Sequence, residues 1–167
     1  KVRFPNSLSN HFALIASLVV RASFVVFLVP KFIAIWSIPQ LTQVIATGAP
    51  GNDMAGMLLS ILNVSLPFSL YTAFDYLGFW LYALFALLIV GPLFGQLRSS
   101  KIAALAAILF GAAFHGLLAL LLTGSLETID IEPAFTLVFA IILVFVVAMG
   151  FHFRSAFSNP APVETPT

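Results

Sequence analysis

The chain has 167 residues, 61% of them hydrophobic and 8% charged, with seven Lys or Arg against six Asp or Glu. Its mean hydropathy is +1.11. Soluble domains carry about 25% charged residues because water must solvate their surface; this chain cannot cover such a surface, so lipid is its expected solvent. A net charge of +1 without a basic tract gives no nucleic-acid partner, and the absence of cysteine excludes disulfides and thiolate metal sites within these residues.

Residues 1–10 are polar, and Ser9 or Asn10 is placed to cap the helix that follows. The apolar run from Phe12 is too long for the h-region of a signal peptide and is read as a first span over 12–34, with Trp36 as an interfacial anchor. Residues 37–53 carry two prolines, two glycines and polar side chains and read as a loop. Residues 54–74 are apolar but hold Asn63, several serines and Pro67; they fit an interfacial helix, a re-entrant segment or a fifth span. Three clear spans follow at 76–97, 102–122 and 134–153, and Pro133 suits the first turn of the last helix. The tail 155–167 has three prolines and no periodicity, so it is expected to be disordered.

Charge placement decides the span count. Lys and Arg favour cytoplasmic ends of spans. With four spans, Lys1, Arg3, Arg98, Lys101 and Arg154 share one side, with both termini in the cytoplasm. Asp53, Asp75, Glu127, Asp130 and Glu132 then share the other side, and only Glu164 lies in the tail. Five spans would split the cations. The expected fold is therefore an all-α membrane-integral bundle of four helices, with 54–74 at or dipping into the outer interface.

Arg21 stands about ten residues into the first span. A charge at mid-membrane costs roughly 2.5–3.5 kcal/mol on insertion scales, and such residues usually face protein and a partner. No acid of this chain lies at matching depth. The alternatives are hydroxyls such as Ser17 and Ser23 or backbone carbonyls, a ligand such as a quinone head group, another subunit, or snorkelling of the side chain to one face. Lys31, at the outer end of the same span, and Asp75, at the outer start of the second, form a candidate ion pair; the plainer reading is that each reaches the head groups independently.

His115 stands in the outer half of the third span, where a histidine is more often a packing residue than a ligand. His11 and His152 both fall at the cytoplasmic boundary, the depth an axial haem pair would need, but interfacial histidines are the simpler reading, and a quinone or lipid is favoured over haem. No metal-binding spacing occurs. The third span carries a small-residue stripe, Ala103, Ala107 and Gly111, with His115 next, and a second pair, Ala112 and Gly116. Small residues let helices approach closely in lipid, so this is a packing surface within the bundle or against another protein. The 18 phenylalanines read as packing and lipid-facing bulk, or as the walls of a cleft for an isoprenoid, quinone or pigment.

The stretch VVRASFVVFLVPKF with Arg21 and Lys31, the 37–74 segment, and LFALLIVGPLFGQLRSSKIAALAAILFG with Gly95 and Arg98 in its turn resemble the DoxX-like small membrane proteins. The resemblance covers about residues 14–123. Pro30 replaces the usual Gly before the Lys, and Asp75 is the counterpart of the family's second-span acid. It implies four helices in a bacterial cytoplasmic membrane and a subunit of a membrane redox complex, some relatives being linked to quinone-coupled sulfur oxidation. The residues themselves form no catalytic constellation. The expected function is that of a small non-catalytic subunit packing against other membrane proteins through the third span and the outer segment. A quinone-linked redox protein with a site near Arg21, walled by phenylalanines and drawing on His115, is the alternative, and a small transporter ranks last, because no paired broken helices with matching symmetry between halves are present.

Overall fold

The computed structural model describes residues 6–158 except 64, 67, 95 and 96, and the side chains of these except residues 6–9, 128 and 156–158. The described residues are helical, without strands: α1 (Asn6–Phe32), a π-helical turn (Ile33–Ser37), α2 (Ile38–Thr47), α3 (Asn52–Ile61), α4 (Leu70–Leu93), α5 (Arg98–Leu122) and α6 (Thr128–Ser158). Four helical stretches are long and apolar enough to cross a membrane, and they mark an integral membrane protein. At 1.5 Å per residue the 24 residues of α4 extend about 36 Å, enough for a hydrocarbon core of ~30 Å.

The first helix does not end near residue 34. It runs through the π turn, where the Ile38 N–H bonds to the Ile33 carbonyl, into α2. Pro39 stands just after the π turn, at the start of α2, so the proline that suggested a loop is carried within a helix instead. The real turn is four residues long, 48–51. Gly48 ends α2 with φ +60° and Gly51 precedes α3 with φ +92°, backbone conformations that favour glycine. α3 has ten residues, about 15 Å, and is too short to span. The segment 54–74 is therefore not a fifth span: its first half is α3, and its end is already the first turn of α4.

The later boundaries also extend beyond the expected spans. α4 starts at Leu70 because Ser69 caps it, its Oγ accepting from the Thr72 N–H at 3.2 Å. α6 starts at Thr128, so Pro133 is its sixth residue and not in its first turn. Asp130 stands in that first turn, where a carboxylate complements the helix dipole. Residues 155–158 belong to α6 and not to a disordered tail; 159–167, like Lys1 and Arg3, lie outside the described residues.

α4, α5 and α6 form the core. Its buried side chains are mainly alanine and phenylalanine, among them Ala83, Ala86, Ala103, Ala107, Phe110, Phe114, Phe135 and Phe145. Phe79 is the hub. Its ring meets Phe139 of α6 at 4.2 Å, Phe27 of α1 at 4.8 Å and Phe114 of α5 at 6.4 Å, so one side chain touches all three other spanning helices. α1 is peripheral and packs chiefly on α4. α2 and α3 pack on each other as a hairpin.

Candidate functional site

The α1–α4 seam carries the polar chemistry of the spans. Among the described side chains of α1 the buried ones are Ala16, Ser23 and Pro30, seven apart, so they form one straight stripe against α4. Ser23 Oγ donates to the Gly78 carbonyl at 2.8 Å, and both residues are buried. The missing side chain of Gly78 is what lets the helices meet. A Cβ there would lie 2.7 Å from the Phe27 ring, which turns its edge onto Phe79 at an interplanar angle of 75°.

At the end of this seam Lys31 joins both partners on α4. Its ammonium donates to the Tyr71 hydroxyl at 3.0 Å and lies 3.3 Å from each oxygen of Asp75. It also stands 5.1 Å from the centre of the Tyr71 ring. The simpler expectation of two independently solvated side chains is corrected: Lys31 and Asp75 are paired, and Tyr71, which sequence reasoning did not single out, completes the cluster. Tyr71 is buried while the Lys31 side chain is 54% exposed. The cluster is thus a clasp with a wet side and a dry side, and its chemistry is that of a fixed ion pair.

Arg21 is not drawn into the seam. Lys31 is level with Tyr71 and Asp75, so ten residues back along α1, about 15 Å, Arg21 is level with Ala83, close to the midpoint of α4. Its side chain is directed outward. Arg21 is exposed, and no hydrogen bond or ion pair joins it to the described residues. Ser23, one of its proposed hydroxyl partners, bonds to Gly78 instead. Leu14, Leu18, Val25, Leu28 and Phe32, all more than half exposed, stand at helical spacing on either side of Arg21, opposite the Ala16–Ser23–Pro30 stripe. α1 therefore has a second face, largely apolar, with one guanidinium near its centre.

His115 lies at nearly the same depth but on another helix, half-buried, beside Trp80 at 6.5 Å between ring centres. Its Nδ1 is 2.7 Å from the Gly111 carbonyl of its own helix. A carbonyl only accepts, so Nδ1 carries a proton. No hydrogen bond links His115 to Arg21 among the described residues. His152 Nδ1 is buried without a hydrogen bond among the described residues, and His11 is exposed.

The small-residue stripe is internal. Ala103 and Ala107 are fully buried. A Cβ on Gly111 would lie 2.5 Å from Leu87 and 3.2 Å from the Ala83 carbonyl, so α5 uses this stripe to approach α4. Ala112 and Gly116 face outward, with open space beside Gly116. The phenylalanines of the core pack on one another, ring against ring. No family model, curated protein or solved structure matches the chain.

Proposed function

We propose that the protein is a membrane-embedded subunit of a larger assembly, and that it docks through the outward face of α1 onto a transmembrane helix bearing a carboxylate near mid-membrane. The observation that carries this reading is the placement of Arg21. A guanidinium at the bilayer centre costs roughly 2.5–3.5 kcal/mol on insertion scales, and its usual remedy is a partner of opposite charge. Among the described residues the acids lie elsewhere: Asp75 is level with Lys31 and engaged by it, and Asp53, Glu127, Asp130 and Glu132 lie near the ends of helices. A second, parallel copy of this chain would set Arg21 against Arg21. The partner is therefore a different helix. In lipid the apolar stripe around Arg21 supplies contact without a hydrophobic driving force, so the charged pair supplies specificity.

The third span serves this reading less well than expected, because its main small-residue stripe is used up inside the bundle. The orientation that fits the cations has both termini in the cytoplasm, and the resemblance to DoxX-like proteins supports a bacterial cytoplasmic membrane and a redox setting for the assembly. Purification of tagged chain from its native membrane in mild detergent, with mass spectrometry of what accompanies it, tests the proposal. A membrane protein that accompanies the wild type and is lost with Arg21→Leu is expected. Recovery of the chain alone, stable and unaccompanied, would contradict it.

A further inference from the structure

The antiparallel course of α5 and α6 brings the start of one and the finish of the other to the same end of the bundle. α5 begins Arg98-Ser99-Ser100-Lys101, and α6 runs out through Phe151 and Arg154. Between the two helices lies an open groove of about 490 Å3, lined by Ser99 and Ile102 of α5 and by Leu143, Val144, Val147 and Phe151 of α6. Its walls are hydrocarbon, and Ser99, at the basic end, is the only polar residue on them. From Leu143 to Phe151 the groove follows the helix for about 12 Å.

The cations stand at its mouth. Arg98 is four residues before Ile102, and Arg154 is three after Phe151 and seven after Val147, so helical spacing puts both arginines on the groove's own faces, one turn beyond its lining. Lys101 adjoins Ile102. All three are exposed, and none forms an ion pair with a described residue.

We propose that this groove holds one anionic phospholipid, with an acyl chain along Leu143, Val144, Val147 and Phe151 and the phosphate between Arg98 and Arg154. The apolar walls select a lipid over a soluble anion, and the unpaired cations select a net negative head group over a zwitterionic one. The groove is lined by α5 and α6 alone and stands apart from the docking of α1 to a partner.

The test uses the full chain, purified in mild detergent, by native mass spectrometry and thermal unfolding with added dioleoyl phosphatidylglycerol, dioleoyl phosphatidylcholine or free glycerol phosphate. One phosphatidylglycerol retained per chain, with a raised Tm and a preference over phosphatidylcholine, is expected. Arg98→Gln and Arg154→Gln should each cut that preference roughly fivefold, and Leu143→Trp should weaken binding of any lipid by filling the groove. Equal retention of the two lipids by the wild type would overturn the proposal, and this comparison needs no variant. So would glycerol phosphate stabilising as well as the lipid does, or a preference for phosphatidylglycerol unchanged in the doubly substituted chain with its helical content intact.

Discussion

Phe27 lies across Gly78 so closely that a Cβ on the glycine would stand 2.7 Å from its ring. This contact joins the peripheral α1 to the rest of the bundle, since the same ring carries α1 onto the hub at Phe79. The approach is backed by the Ser23 hydroxyl bond to the Gly78 carbonyl. Gly78→Val should force the Phe27 ring aside and lower bundle stability by about 1–3 kcal/mol, the usual cost of overpacking. Ser23→Ala should cost only about 0.6 kcal/mol, the average for a hydrogen bond between membrane helices. Unfolding of both variants in mixed micelles, followed by circular dichroism, measures the order.

Gly111 makes the corresponding contact between α5 and α4, but against backbone as well as side chain, because the Ala83 carbonyl lies 3.2 Å from where its Cβ would be. Leu87 can turn away and the carbonyl cannot. Gly111→Val is expected to destabilise by about 1–3 kcal/mol, whereas Gly116→Val, at a site facing open space, should be close to neutral. The same unfolding measurement compares them.

The Lys31–Asp75 pair is expected to orient more than to stabilise. With the lysine side chain 54% exposed, its contribution belongs to the range of exposed pairs, about 0–1 kcal/mol. Lys31→Met should cost more than Asp75→Asn, because it also strips a donor from the buried Tyr71 hydroxyl. A double-mutant cycle over Lys31→Met and Asp75→Asn checks this, with a coupling energy no greater than about 1 kcal/mol.

Arg21→Leu should leave the isolated bundle as stable as the wild type, or easier to insert, because Arg21 bonds to nothing described within it. Loss of stability in the purified chain would show that the guanidinium has a structural role in the bundle. The comparison of unfolding midpoints for wild type and variant in the same detergent decides it.

The four spanning helices were legible because they depend on a simple quantity, apolar run length. Direction was not. Whether Arg21 turns inward depends on which face of α1 meets α4, and that face is written in Ala16, Ser23 and Pro30, a seven-residue repeat of small residues hidden among larger apolar ones. In lipid both faces of a helix are apolar, so the hydrophobic contrast that reveals a buried face in a soluble protein is absent. The helical course of 38–47 was missed for another reason: Pro39 and Thr42 read as loop residues, but Pro39 follows directly on the π turn within the helix and the Thr42 hydroxyl donates to the Ile38 carbonyl at 2.8 Å. The stripe Ala103, Ala107, Gly111 was recognisable as a contact surface, and only three-dimensional packing assigns it to α4.

The most direct test of the docking face is site-specific photo-crosslinking in the native membrane. A photoreactive side chain at Leu28 or Val25, flanking Arg21 on the outward face of α1, is compared with one at Leu137, equally exposed on α6. Crosslinks from Leu28 and Val25 to a single different membrane protein, absent from Leu137 and lost when Arg21→Leu is combined with either probe, are predicted. Crosslinks to lipid alone, or to a second copy of this chain, would contradict the account.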